Sequence, residues 1–311
     1  MSDLRRKVRH AVVPAAGRGT RFLPATKTVA KEMLPIVDRP AIEYIVEEAT
    51  SAGISDILLV TSSSKHAVED HFDAVPELED ALRRAGKDEL LAAIDRYRDL
   101  ARIHTVRQGR PLGLGHAVYQ ARAHVGNHPF AVLLPDDLMH PEDPLLDKMI
   151  AVRERLGGSV VALLEVTPEQ ATAYGSADVT PIDLAASGLD DIPGLAQGDV
   201  FTLNDVVEKP PIDEVLSNYA TVGRYVFDPA IFPILETLPP GRGGEIQLTD
   251  AFARLIDVSP EDGGGVVGVV VRGRRFDTGD KLGFLEATVS LGLEHPELGE
   301  RFATFLNDLR K

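Results

Sequence analysis

Cysteine is absent from the 311 residues, which excludes disulfides and thiolate metal sites and makes a reducing cytoplasm the expected location. Long apolar runs are absent as well: none approaches the roughly 20 residues that a membrane-spanning helix needs. The opening stretch, residues 1–10, carries Arg5, Arg6, Lys7 and Arg9 with no apolar core behind them, so a secretory signal is not expected. Bases are scarce relative to acids, 33 Lys and Arg against 48 Asp and Glu. The resulting charge of −15 argues against nonspecific nucleic-acid binding, which depends on neutralising phosphates with Lys and Arg. Neither a nucleic acid nor a membrane is therefore an expected partner. What remains is an ordinary globular composition, 44% hydrophobic and 26% charged, without internal repeats and long enough for one large domain or two smaller ones.

One stretch reverses the acidic balance. Within residues 12–35, VVPAAGRGTRFLPATKTVAKEMLP, the only charges from Pro14 to Lys31 are Arg18, Arg21, Lys27 and Lys31. Gly17 and Gly19 stand where an apolar strand at 11–13 has to turn, and glycines there let backbone N–H groups close on an anion. A positive, glycine-hinged loop in an acidic chain points to a small phosphorylated ligand.

Two familiar glycine loops do not match. The dinucleotide fingerprint needs a third glycine and an unbroken helix, whereas Phe22 holds that place and Pro24 follows. A Walker loop ends Gly-Lys-Ser/Thr, and Gly19-Thr20-Arg21 does not.

Apolar runs at 57–61, 103–106, 130–134 and 160–166 read as further strands, separated by helical spacing at 42–49, 64–72, 78–100, interrupted near Gly86, and 145–156. Gly53 is placed to end the first of these helices, and Leu78, Leu82 and Ala85 lie along one face of the third. Such alternation predicts a mostly parallel sheet covered on both faces. Ligands then gather at the carboxyl ends of the strands, where the Gly17 loop, the Gly113 turn and the Asp136-Asp137 pair should converge. Beyond 166 the rhythm loosens. Residues 180–199, crowded with Pro, Gly and Asp, predict a solvent-facing excursion. Strands are expected at 200–207, 221–227 and 266–271, a helix at 246–256, and a helical end from 281 with Leu282, Leu285 and Val289 on one stripe.

The motifs taken together carry a resemblance. Gly17-x-Gly19-Thr20-Arg21, Leu23-Pro24-Ala25-Thr26-Lys27 and Lys31-Glu32-Met33-Leu34-Pro35 resemble the signature of the sugar-1-phosphate nucleotidyltransferases. Gln108, Gly113-Leu114-Gly115-His116-Ala117, Leu134-Pro135-Asp136, Tyr174-Gly175, Val207-Glu208-Lys209-Pro210, Gly223-Arg224-Tyr225 and Gly244-Glu245-Ile246-Gln247-Leu248-Thr249-Asp250 extend it over nearly the whole chain. The resemblance implies a three-layer α/β/α Rossmann-like nucleotidyltransferase fold with a mostly parallel mixed central sheet. It implies one domain over 8–295, with a nucleotide-binding half at 8–165 and a sugar-phosphate-binding half at 166–280, and a C-terminal helical segment at 281–311. The members nearest in pattern take UTP and glucose 1-phosphate, use Mg2+, and form a homodimer or homotetramer.

In that family a sugar 1-phosphate oxygen attacks the α-phosphorus of a nucleoside triphosphate. The attacking monoester is already largely dianionic near neutrality, its second pKa being about 6, so no general base is needed and none of the nine histidines has to be catalytic. His116 is accordingly read as a loop residue. The obstacle is repulsion: like unit charges about 4 Å apart cost about 4 kcal/mol at an effective dielectric near 20, which calls for fixed cations and a metal. Asp136, after the fourth predicted strand, is the leading metal ligand, because carboxylates together with substrate phosphates are the usual magnesium environment. Resemblance adds Asp277 as the second carboxylate and leaves Asp137 open between ligand and solvated acid. Arg21 and Lys31 are the candidates to hold the triphosphate, with Gly17 and Gly19 giving backbone contact. Resemblance places Ala16, Thr20, Glu32, Gln108 and Gly113 around the nucleotide. On the sugar side it assigns Glu208 to the hydroxyls, Lys209 to the phosphate and Gly175 to close approach of the ring. Arg21, Lys31, Asp136 and Lys209 form the expected catalytic set.

Two departures stand out: Ala30 replaces the proline usual before the loop lysine, and Asp280 replaces the asparagine usual after Asp-x-Gly. The alternatives are a thymidylyltransferase or another nucleotide-sugar pyrophosphorylase, and a regulatory relative that binds nucleotide sugar without turnover. Retention of all four catalytic candidates argues against the last.

Overall fold

The apolar runs become strands of one sheet, in a computed structural model that describes residues 7–96 and 100–309. In chain order they are β1 (His10–Pro14), β2 (Asp56–Thr61), β3 (Arg102–Arg107), β4 (Phe130–Leu133), β5 (Ser159–Glu165), β6 (Gly175–Pro181), β7 (Val200–Glu208), β8 (Tyr219–Phe227) and β9 (Val266–Val270). They lie in the order β3-β2-β1-β4-β8-β5-β9-β7-β6, and the first residues of β8 also pair with β6. Pairing is parallel from β3 to β4 and between β5 and β9, and antiparallel elsewhere, so the sheet is mixed and its one continuous parallel block, β3-β2-β1-β4, comes from the first half of the chain.

Alternation along each strand feeds two cores. Ala11 and Val13 join Ile57 and Leu59 on one face; Val12 joins Leu58 and Val60 on the other. The principal helices are α1 (Ala41–Ser51), α2 (Leu114–Tyr119), α3 (Leu146–Leu156), α4 (Leu248–Ile256), α5 (Lys281–Glu294) and α6 (Gly299–Leu309). Ile42 and Ile45 of α1 and Met149 of α3 cover the first face, while Val118 of α2 and Phe252 of α4 cover the second. Three layers result. A separate antiparallel ribbon pairs Asp137–Met139 with Arg275–Asp277. The chain steps from β1 outward to β2 and β3, then returns to β4 on the other side of β1. This opens a crevice at the carboxyl ends of β1 and β4, the usual ligand position in such sheets.

Several elements differ from the sequence expectation, though the break expected near Gly86 is present: the stretch 78–100 forms two helices, Pro76–Arg84 and Asp88–Asp95, and residues 97–99 lie outside the described residues, as do 1–6, 310 and 311. Leu78 on its supposed apolar face is exposed, while Glu79 is buried because its carboxylate accepts the Val75 N–H at 3.1 Å at the helix start. The excursion at 180–199 is partly core: Leu184, Leu189 and Ile192 pack against the α1 and α3 side. The helix expected at 246–256 begins at Leu248, since Ile246 is drawn into backbone bonds with the Gly113 turn. The stripe of Leu282, Leu285 and Val289 on α5 faces outward.

Candidate active site

Residues 17–31 fold into short 3-10 turns, Thr20–Phe22, Ala25–Lys27 and Lys31–Met33, rather than a helix. Gly19 has φ 63°, a left-handed conformation that a side chain would strain, and its carbonyl accepts the Thr26 hydroxyl at 2.6 Å. Phe22 packs edge-on against Phe284 of α5, with ring centroids 5.5 Å apart. The loop is therefore pinned at both ends of its turn, and it presents Arg21 and Lys31 to the end of β4.

There Lys31 Nζ donates to Asp136 Oδ2 at 2.5 Å, and Arg21 Nη1 donates to the Gly279 carbonyl at 3.3 Å. The ribbon register sets Asp277 opposite Asp137, which brings it beside Asp136. A Cβ built on Gly279 would lie 2.8 Å from Asp136 Oδ2, 3.1 Å from Asp277 Oδ1 and 3.2 Å from Arg21 Nη1. Two carboxylates and a guanidinium thus meet over one bare backbone point. Burial alone pushes Asp136 up, but the Lys31 ammonium, with a smaller part from Arg21, outweighs it and holds the acid below the ordinary carboxylate range. Asp277 goes the other way: burial raises it, Arg275 opposes and Asp136 adds repulsion. Paired acids of this kind, oxygen donors beside a space that phosphates can share, fit a hard divalent cation.

Asp137 is settled as a structural residue. Its two oxygens take Arg275 at 2.7 and 3.0 Å, and the Gly223 N–H adds a third bond at 2.7 Å. Asp280 is likewise accounted for, because its carboxylate accepts the Leu282 and Gly283 N–H groups as the N-cap of α5. Those backbone bonds hold it below the ordinary range, so its charge is directed at the helix end.

Next to the loop lies a cleft of about 450 Å³, lined among others by Ala16, Gly17 and Gln108. Arg18, Lys27, Lys65 and Arg107 supply its charges, and no acid is among its lining residues. A larger hollow of about 1240 Å³ lies elsewhere, between the helices of 76–95 and the end of α5. Asp38, Glu43, Glu69 and Glu79 on its wall make it unsuited to a polyanion. Lys65 and Arg107 were not singled out from sequence; each follows or ends a parallel strand, which is the signal that topology gives. Glu32, by contrast, is buried behind the cleft, where its carboxylate accepts from Lys65 Nζ at 2.5 Å. Gln108 is nearly buried, its Nε2 donating to the Gly113 carbonyl at 3.1 Å and lying 2.9 Å from His116 Nδ1. His116 thus braces the turn, and burial lowers its pKa. Thr20 is exposed.

On the sugar-side half, β7 ends in Glu208 and Lys209, whose side chains pair at 3.0 Å. The Thr249 hydroxyl donates to the second Glu208 oxygen at 2.7 Å and so fixes the carboxylate. Lys209 has φ 47°, uncommon for a residue with a side chain, and its backbone N–H donates to the Tyr174 carbonyl at 2.8 Å. Gly175 crosses so close to β8 that a Cβ there would lie 2.6 Å from Thr221 Oγ1. Arg275 links the halves, pairing with Asp137 and lying over the Tyr174 ring at 5.5 Å.

This geometry has close counterparts. A family model described as nucleotidyl transferase matches residues 10–291. A UTP–glucose-1-phosphate uridylyltransferase of Bacillus subtilis strain 168 is 46% identical over 308 residues, 99% of this chain and 97% of that protein. The UTP-bound UGPase from Acinetobacter baumannii is similar in structure with a TM-score of 0.85 at 41% identity, over 97% of this chain and 99% of that one. A UDP-glucose pyrophosphorylase complexed with UDP-glucose gives a TM-score of 0.78 at 35% identity, over 91% and 98% of the two chains.

Proposed function

The chain belongs to the nucleotidyl transferase family, and from that premise we propose that it transfers a uridylyl group from UTP to glucose 1-phosphate, giving UDP-glucose and pyrophosphate. One observation carries the reading: Arg21, Asp136 and Asp277 converge on Gly279, Lys31 binds Asp136, and the loop that bears Arg21 and Lys31 also walls a cleft with no acid in its lining, through Gly17, Arg18 and Lys27. The nucleotide lies in that cleft, its phosphates met by the 17–31 loop with Gly17, Gly19 and Thr20, and its uridine near Ala16, Gln108 and Gly113. Glu32 acts from behind by fixing Lys65 at the cleft wall. The sugar phosphate enters from the β7 end, where Lys209 binds its phosphate and Glu208 its hydroxyls, beside the close crossing of Gly175 and Thr221.

A sugar-phosphate oxygen forms the new bond to the α-phosphorus while the bond to the β-phosphate oxygen breaks. No proton transfer is required of the protein, because the monoester arrives ionised. Asp136 and Asp277 would hold Mg2+, which would supply charge neutralisation for the phosphates. Lys31 and Arg21 stabilise the charge that builds on the departing pyrophosphate, working as fixed cations that need no reorganisation. We extend the proposal to a cytoplasmic homodimer or homotetramer; the outward stripe of Leu282, Leu285 and Val289 supports association, and light scattering of the purified chain tests it.

The test of the reaction is pyrophosphate release with each of the four ribonucleoside triphosphates and TTP, glucose 1-phosphate being the acceptor. UTP is expected to be preferred. Preference for TTP would move the chain to the thymidylyltransferases, and release with none would leave a binding protein.

A further inference from the structure

The amino ends of the parallel strands, opposite the cleft, gather a second set of chemically able side chains. His10 opens β1 and Asp56 opens β2, paired in register; His104 lies on β3, and His124 precedes β4 on the short helix Arg122–Val125. His124 Nε2 is 2.6 Å and His10 Nδ1 3.4 Å from Asp56 Oδ1, while His104 Nε2 is 3.6 Å from Asp56 Oδ2. The rings of His104 and His124 are 4.8 Å apart, and those of His10 and His128 5.5 Å. The His10 Nδ1 atom is buried and makes no hydrogen bond, its approach to Asp56 falling outside bonding geometry. Nitrogen left so is a cost the fold carries without return unless a partner arrives.

We propose that His10, Asp56 and His124 bind a borderline divalent transition ion, of the Zn2+ class, with His104 at its open side. The donor atoms of the three ligands all lie within 4.8 Å of one another. Tetrahedral ligands at zinc distances are about 3.3 Å apart, so the 3.4 Å between His10 and Asp56 needs no movement and the His124 contact must open by several tenths of an ångström. Imidazole with one carboxylate favours such an ion over magnesium, whose preferred shell is all oxygen. The site is reachable, since the His104 side chain is 44% exposed and that of His124 27%. Bound there, the ion ties β1, β2 and the approach to β4 together. At about 3.3 Å per residue along β1, it is on the order of 15 Å from the phosphate loop and takes no part in transfer.

The chelator-stripped full chain is titrated with Co2+, followed by displacement with Zn2+ and by calorimetry. One ion per chain with tetrahedral visible absorption is expected, and Zn2+ at 100 times its Kd should raise the melting midpoint by about 3–6 °C. His124→Ala and His10→Gln should each weaken binding by about 100-fold while leaving uridylyl transfer in Mg2+ unchanged, which also confirms that they fold. Asp136→Asn should leave the Co2+ spectrum intact. Equal binding by the histidine variants, or binding abolished by Asp136→Asn, would overturn the site.

Discussion

Lys31→Met separates an observed role of one ammonium from a proposed one. In the chain as folded, Lys31 neutralises Asp136 at 2.5 Å, and in the proposed reaction it faces triphosphate. At an effective dielectric near 20 and about 4 Å, each such charge pair is worth about 4 kcal/mol, which corresponds to about 10³-fold in kcat/KM if the contact is realised in the transition state. Removing the ammonium should therefore cost two to three orders of magnitude in turnover, at saturating Mg2+ and glucose 1-phosphate. It should at the same time tighten divalent-ion binding to the nucleotide-free protein by about tenfold or more, because Asp136 no longer has to exchange a resident cation for the arriving one. Pyrophosphate release gives the first quantity and calorimetric Mn2+ titration the second. Slower turnover with weaker ion binding would refute the competition, and turnover within a few-fold of the parent would remove Lys31 from the triphosphate.

Three further outcomes follow from named contacts. Lys65→Met strands the Glu32 carboxylate, whose side chain is 0% exposed and whose Oε1 already lacks a partner. It should cost about 3–5 kcal/mol in urea unfolding, with part regained in the Glu32→Gln, Lys65→Met double variant; a single variant as stable as the parent would contradict the pair. Lys209→Ala should raise KM for glucose 1-phosphate far more than KM for UTP, and equal rises would place it on the wrong side of the cleft. Burial favours a protonated Glu43, yet hydrogen bonds from His71 and Arg39 outweigh it and hold the acid below its ordinary 4.5. The folded state binds that proton less readily than the unfolded chain, so the stabilisation is present above about pH 4.5 and is lost as pH falls through the depressed value. Glu43→Gln should flatten the acid limb of the melting curve, and an unchanged slope would show that the network does not act this way.

The parts of the fold legible in the sequence are those buried on both faces. Residues 57–60 and 130–133 are continuous apolar runs because helices cover both sides of them. Strand β6, GSADVTP, was not legible: only its first three residues are buried, and its place is set by pairing with β7 and β8 rather than by its own hydrophobicity. The ribbon that carries Asp277 is three residues a side, too short for periodicity to register. At the site, glycines and clustered cations were legible because anion binding demands them within one loop. Lys65, in the loop after β2, and Arg107, the last residue of β3, are single charges far apart in sequence and gain meaning only when the sheet aligns them. Asp280 stands out in the sequence only as a departure from the usual asparagine, since a capping role depends on where α5 begins.

The proposed role of Asp136 is to support a metal-bridged triphosphate held by Arg21 and Lys31. Asp136→Asn, made in the full chain and checked by its melting curve, probes that role through Mg2+-dependent formation of UDP-glucose. A folded variant with activity lowered by about three orders of magnitude or more is expected. Undiminished Mg2+-dependent formation would rule the role out.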